Sequence, residues 1–191
     1  MQPEHFSVIQ LDTSYRLLNH GPTVLVSATH AGESNVMAAA WACVLDYGQS
    51  PKITVVLDKA TRTRELIEAS GLFALQLPTR AMATLTLGVG TDSAHDVPDK
   101  LEKHGVKLFT ASGCDVPLVA GCVGWLVCKW IPERHNEQVY DLFIGEVVAA
   151  WADARVFHEG RWHFESAPDS LRTLHYVAGG QFYAIGEAVQ G

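Results

Sequence analysis

Cysteine is scarce in this chain. Cys43, Cys114, Cys122 and Cys128 are the whole complement, and no CxxC pair occurs. So few thiols at such irregular spacing exclude a disulfide scaffold and read as reduced, mostly buried groups of an intracellular protein. Positive charge is scarce too: 14 Lys and Arg stand against 21 Asp and Glu, for a net charge of −7. A nucleic-acid binder is basic overall or carries a basic stripe, and only one small basic knot is visible, so no nucleic-acid partner is expected. Long apolar runs are absent. The longest, Val36 to Leu45, is about half of the roughly twenty residues that a spanning helix needs, so no membrane association is expected. The N-terminal stretch "MQPEHFSVIQLDTSY" has no charged segment leading into an apolar one. No signal peptide is therefore expected, and a cytoplasmic location is.

Several chemical motifs are missing. No GxGxxG follows a strand; "LGVGTDS" supplies Gly88 and Gly90 without the third glycine. Neither HExxH nor GxSxG occurs, which leaves zinc proteolysis and serine hydrolysis unsupported. His158, His163 and Glu165 could be drawn as a metal site, but their alternation in "FHEGRWHFES" reads as a surface hairpin, and no metal is expected. Cys114 lies beside Asp115, whose charge raises a thiol pKa, so a nucleophilic cysteine is not expected there.

What is present is apolar bulk: 48% hydrophobic and only 18% charged residues over 191 positions. That suffices for a large core and one domain over residues 1–191. "TVLVSATH", "KITVVLD" and "LFALQL" read as strands. "NVMAAAWACVLDYG" sits between strand-like runs and reads as extended despite its alanines. Val123–Glu133 and Val139–Trp151 should pair as a hairpin across the turn-rich "IPERHNEQV". "GRWHF" and "QFYAIGEAV" are shorter strands; "RAMATLTLG" and "PDKLEKHG" are helical candidates. Strands dominate and do not alternate regularly with helices. That favours an antiparallel barrel with inserted helices over a doubly wound parallel sheet.

One junction stands out. "VVLDKATRTRELIEASG" (Val55 to Gly71) passes from strand to helix, and Lys59, Arg62 and Arg64 crowd the join. Thr61 is the expected N-cap. Cations in a first helical turn oppose the helix dipole at a cost of a few tenths of a kcal/mol each. A bound phosphate reverses that sign, and the Thr61 and Thr63 hydroxyls suit phosphate oxygens. Beside this, Ser34–Asn35 precedes the small residues Ala38, Ala39 and Ala40. Such a surface lets a flat ring with hydrogen-bonding edges lie against main-chain groups; tight strand packing is the alternative.

The ordered set Pro22, Leu25–Val26, Asn35, Ala38, Trp41, Pro51, Thr61, Thr63, Gly71 and Phe73 resembles the N-terminal half of the flavin reductase-like, FMN-binding split-barrel family, which includes flavoredoxin and ferric reductase. "LHYVAGGQFYAIGE" (Leu174 to Glu187) resembles its closing segment. The match is poor from about Thr79 to Cys114. The resemblance implies a mainly β chain with inserted helices, folded as a six-stranded antiparallel Greek-key split barrel. It implies a homodimer with one FMN per subunit and a site closed by the partner subunit. The phosphate would lie at Lys59, Thr61, Arg62 and Thr63. The ring would run along Asn35, Val36, Met37, Ala38, Ala39, Ala40 and Trp41, held mostly by main chain. Many relatives carry Ser where this chain has Ala40, so one hydroxyl contact is missing. His175 is a candidate ring-side or substrate-side contact, or else a hydrogen-bonded histidine at a helix end. Trp41 and Phe182 are candidate stacking groups or core aromatics. No side-chain acid or base is required for flavin-borne hydride chemistry, and no catalytic residue is named. The implied activity is reduction of flavin by NADH or NADPH, with electrons passed to free flavin, ferric iron or a partner enzyme. The alternatives are a flavoredoxin-like carrier without nicotinamide activity and a non-enzymatic ligand-binding split barrel.

Overall fold

The computed structural model describes residues 21–191. The N-terminal stretch on which the absence of a signal peptide was argued lies outside the described residues. The backbone begins with β1 (Val24–His30) and β2 (Glu33–Ala39), joined by a tight turn at Ala31 and Gly32, both at positive φ. β3 (Ala42–Val44), β4 (Lys52–Val56), α1 (Arg62–Ser70) and β5 (Leu72–Leu77) follow. A helical insert then carries α2 (Ala83–Thr91) and α3 (Lys100–Lys103). After it come β6 (Leu108–Phe109), β7 (Leu118–Val119), β8 (Gly124–Ile131), α4 (Arg134–Tyr140) and β9 (Leu142–Ala152). Two ribbons complete the chain: β10 (Phe157–His158) with β11 (Arg161–Trp162), and β12 (Leu174–Ala178) with β13 (Gln181–Ala184).

The main sheet has the order β2-β1-β5-β8-β9-β4-β3, and every pairing in it is antiparallel. Its edges are β2 and β3, yet only Ala40 and Trp41 separate them along the chain. Laid flat, seven strands would hold their edges about 29 Å apart. Three residue steps reach at most about 11 Å. The sheet must therefore curl to bring its edges together; the Val56 amide, donating to the Trp41 carbonyl at 3.0 Å, extends the β3–β4 ladder into the connecting pair. This is the antiparallel split barrel expected from the sequence, with one strand more than the six anticipated. The extra strand arises because the long extended run breaks at Ala40–Trp41, which makes β3 an element of its own.

β1 is buried on both faces. Val24, Val26 and Ala28 join Val55, Leu66, Ile67, Phe73 and Phe143 in the core beneath α1. Leu25 points the other way and packs with Val36, Met82 and Val89 beneath α2. α1 ends as expected at Gly71, whose φ of 74° lets its N–H reach the Ile67 carbonyl at 2.7 Å. One expectation fails. β8 and β9 do pair, but their connection is the helix α4, and Val139 and Tyr140 belong to it. The buried Glu137 explains this: its carboxylate accepts from Trp130 Nε1 at 2.9 Å and from the Glu133 amide at 2.7 Å. These bonds cap the helix and fasten it to β8, so tertiary anchoring replaces the apolar periodicity that a sequence reading needs.

Candidate functional site

Alternation along β2 sets the site. Asn35 and Met37 face a hollow of about 270 Å³ that also takes in Asp58, Thr61, Arg62, Thr63, the end of α2 and Lys100. Met37 also opens onto a second, larger hollow of about 620 Å³, walled by Ala38–Trp41, Asp58, Tyr140, Asp141 and Tyr176. Met37 and Asp58 are common to both, so the two form one elongated cleft.

The narrow end is built around the start of α1. Asn35 is buried on β2 and donates from Nδ2 to Thr63 Oγ1 at 3.0 Å. Thr61 occupies the expected N-cap position in extended conformation, but its hydroxyl donates backwards to the Asp58 carbonyl at 2.7 Å. No side chain caps α1, so its first N–H groups are left for water or a ligand. Arg62 lines this end and is paired with Glu33 and Glu65. The hydrogen bond from Arg62 holds the Glu33 carboxyl below the usual carboxylate range. Lys100 approaches from α3. Burial pulls its ammonium below the ordinary lysine value, and its Nζ donates to the carbonyls of Val89 at 3.1 Å and Asp92 at 2.9 Å.

The three cations of the strand–helix junction divide their work. Arg64 is buried, donating to Asp141 Oδ1 at 2.6 Å, to the Leu57 carbonyl at 3.0 Å and to the Glu137 carbonyl at 2.9 Å. It also lies 5.0 Å from the centroid of the Phe143 ring. Lys59 turns to the Gln138 carbonyl and lies 3.8 Å from Asp141. Both therefore sit at the C-terminal end of α4, where a helix dipole favours positive charge. Of the three, only Arg62 lines the cleft.

At the broad end, Ala38, Ala39 and Ala40 form the floor and half-exposed Trp41 the edge. Val36, expected along the ring site, lines neither hollow, because its side chain is in the core under α2. His175 lies on β12 and not at a helix end, and it lines none of the hollows described. Its neighbour Tyr176 takes the cleft-facing position, as strand alternation requires. Phe182 sits 5.3 Å from Tyr176, ring centroid to ring centroid. Sequence reasoning missed the contribution of the insert: Val89 to Ala94 and Lys100 all line the narrow end. The available signal was the glycine pair of "LGVGTDS". A Cβ on Gly90 would come within 3.0 Å of the Ala38 Cβ, so glycine there lets α2 lie against β2.

A curled antiparallel barrel whose one long cleft joins an uncapped helix start to an alanine-floored wall defines a split-barrel protein of the flavin-binding type. The flavin reductase like domain matches residues 16–180, and the chain belongs to that family, the flavin reductase-like, FMN-binding split barrels. It is 41% identical over 187 residues to the uncharacterized protein YddH of Escherichia coli (strain K12), covering 96% of this chain and 97% of YddH. Among solved structures it is similar to an FMN-binding domain of a flavin reductases-like enzyme from Shewanella baltica OS155, with a TM-score of 0.88, 58% identity and coverage of 97% and 96% of the two chains. It is also similar to the flavoredoxin of Desulfovibrio vulgaris (Miyazaki F), with a TM-score of 0.73, 25% identity and 89% of each chain covered. Among the described residues no helix is long and apolar enough to cross a membrane.

Proposed function

We propose that the cleft binds FMN and that the protein is an oxidoreductase drawing electrons from NADH or NADPH. The observation that carries this reading is the uncapped start of α1, opening with Arg62 onto a hollow continuous with the Ala38–Ala40 floor. The residues fit the cofactor: free N–H groups and a guanidinium for the phosphate, a narrow polar neck, and a wide small-residue wall for the ring. The N–H groups after Thr61, with Arg62 and Thr63, hold the phosphate; Lys59 adds charge from the rim. The backbone of Asn35 to Trp41 positions the ring, and the small alanines allow close approach. When bound, FMN supplies the hydride and electron chemistry. The chain's task is to place it, neutralise its phosphate and keep water from the ring. Arg62 exchanges part of its pairing with Glu33 and Glu65 for the phosphate.

A homodimer completes the site. Val44, Leu45 and Tyr47 leave an apolar surface next to Trp41, with Tyr47 96% exposed, and a second copy seated there would close the cleft mouth. The electrons pass to free flavin, ferric iron or a partner enzyme, in a cytoplasmic setting.

Titration of the purified protein with FMN, followed by anaerobic mixing with NADH and then NADPH, tests this. Saturable FMN binding and rapid loss of the oxidised-flavin absorbance are expected. No FMN binding refutes the site. The likeness to flavoredoxin favours a second reading, an FMN electron carrier, and binding without bleaching by either nicotinamide selects it.

A further inference from the structure

The β10–β11 hairpin read from "FHEGRWHFES" forms, and its register brings the two histidines together. Phe157 pairs with Trp162 and His158 with Arg161. The turn residues Glu159 and Gly160 both take positive φ, as a two-residue hairpin turn of this hand requires. The ladder runs one step further, because the His163 amide donates to the Val156 carbonyl at 2.8 Å. His163 therefore stands opposite Val156, and Val156 and His158 share a face of their strand. Both imidazoles thus lie on one side of the hairpin.

The rings are face to face, centroids 3.7 Å apart and planes 7° from parallel. His163 is buried, and both of its ring nitrogens meet oxygen. Nδ1 lies 3.3 Å from Glu165 Oε1, and Nε2 lies 3.2 Å from the His158 carbonyl oxygen. A neutral imidazole carries one N–H. With that proton on Nδ1 facing Glu165, Nε2 turns a lone pair towards an oxygen. A cation held between those two atoms replaces a repulsion with two attractive contacts. A carboxylate on the far nitrogen is also the arrangement that orients a metal-binding histidine and raises its basicity. Glu159 completes the group: one donor atom from each of His158, Glu159 and His163 lies within 4.8 Å of the other two. Arg161 shares the face but is exposed, and Glu159 and Glu165 outweigh its single charge.

We propose that His158, Glu159 and His163 bind a divalent transition-metal ion of the zinc type, with His163 Nε2 as the fixed ligand and Glu165 orienting it. Two imidazoles and one carboxylate suit Zn2+ rather than the oxygen-seeking Mg2+ or Ca2+. Burial holds His163 in place. His158 and Glu159 are exposed, so turning them onto the ion unstacks one ring and disturbs no core packing. The expectation of no metal here rested on linear spacing; the hairpin register changes it. None of these residues lines either hollow of the cleft, so the site stands apart from the flavin reading.

The test titrates the full chain, stripped with a chelator, with Zn2+ by calorimetry and with Co2+ by visible absorption. One ion per chain should bind, and the Co2+ spectrum should lack the intense near-ultraviolet band of a thiolate ligand. His158→Ala, at an exposed position, should lower Zn2+ affinity by about tenfold or more and leave the metal-free melting temperature close to the parent's. Glu165→Gln, which makes no contact with the ion, should weaken binding by about tenfold. Zn2+ should raise the melting temperature of the parent and not that of His158→Ala. One equivalent of Zn2+ should also move the ring 15N shifts of His158 and His163. Absence of Zn2+ binding, unchanged affinity in His158→Ala, a thiolate band with Co2+, or ring shifts that follow pH alone and ignore Zn2+ overturns the assignment.

Discussion

Asn35 Nδ2 and Thr63 Oγ1 lie 3.0 Å apart, both residues buried, and this bond, with the more exposed Arg62–Glu33 pair, ties the second strand to the first turn of α1. It sets the angle at which the helix start meets the cleft. Asn35→Ala leaves the Thr63 hydroxyl without its donor and should cost about 1–3 kcal/mol, read by urea unfolding. Adding Thr63→Val removes the orphan, and the double variant should recover part of that loss. FMN affinity should fall in both, because the helix start is no longer registered to β2. A single variant as stable as the parent, with unchanged FMN affinity, would remove the bond from any role at the site.

The rim cations make a separate prediction. Replacing Lys59 and Arg62 together by Ala should leave the melting temperature close to the parent's, because Lys59 is exposed and Arg62, though half-buried, pairs only with partly exposed carboxylates, and such ion pairs contribute little. FMN affinity should drop by about tenfold or more, the scale of one lost charge-assisted hydrogen bond. Riboflavin, which lacks the phosphate, should bind the variant and the parent alike. Unchanged FMN affinity would place the phosphate elsewhere.

Arg64 should behave in the opposite way. Its side chain is 8% exposed and bridges α1 to Asp141 and to the last turn of α4. Arg64→Met takes the nearer cation from the half-buried Asp141 carboxylate, leaving it Lys59 at 3.8 Å, and removes the donor from two carbonyls, at about 3 kcal/mol or more. Thermal melting should show a loss far beyond that of the Lys59 and Arg62 double variant. Two arginines two positions apart would then differ by their burial and their partners.

These residues also mark what the sequence could and could not reveal. The helix from Arg62 to Gly71 was legible, because Leu66, Ile67 and Gly71 stand at helical spacing and the terminal glycine takes positive φ. The alanine floor was legible as a run of small residues. The roles of Lys59 and Arg64 were not, because their partner carbonyls lie 79 and 73 residues away on a helix without apolar period. The same holds for Lys100, whose ammonium finds its carbonyls only after the insert folds back on the cleft. The helix end expected after His175 is absent for a local reason: the Gly179–Gly180 pair that suggested it forms a turn between two strands.

The buried thiols set an alkaline limit. Burial pushes Cys128 from the ordinary thiol value of 9.0 up to about 12. Cys122 is raised by the same cause. The folded state thus holds protons that the unfolded chain releases near pH 9. Stability from these two groups is fully present below pH 9 and is lost as the pH rises towards 12. Urea unfolding at stepped pH should show a fall across that interval that Cys122→Ala with Cys128→Ala makes shallower. Thiol labelling at neutral pH offers an independent check: exposed Cys43 should react within the mixing period, and Cys122 and Cys128 only as the chain unfolds. Rapid labelling of all four cysteines in the native protein would show that the core beneath α1 and α2 opens far more readily than its packing implies.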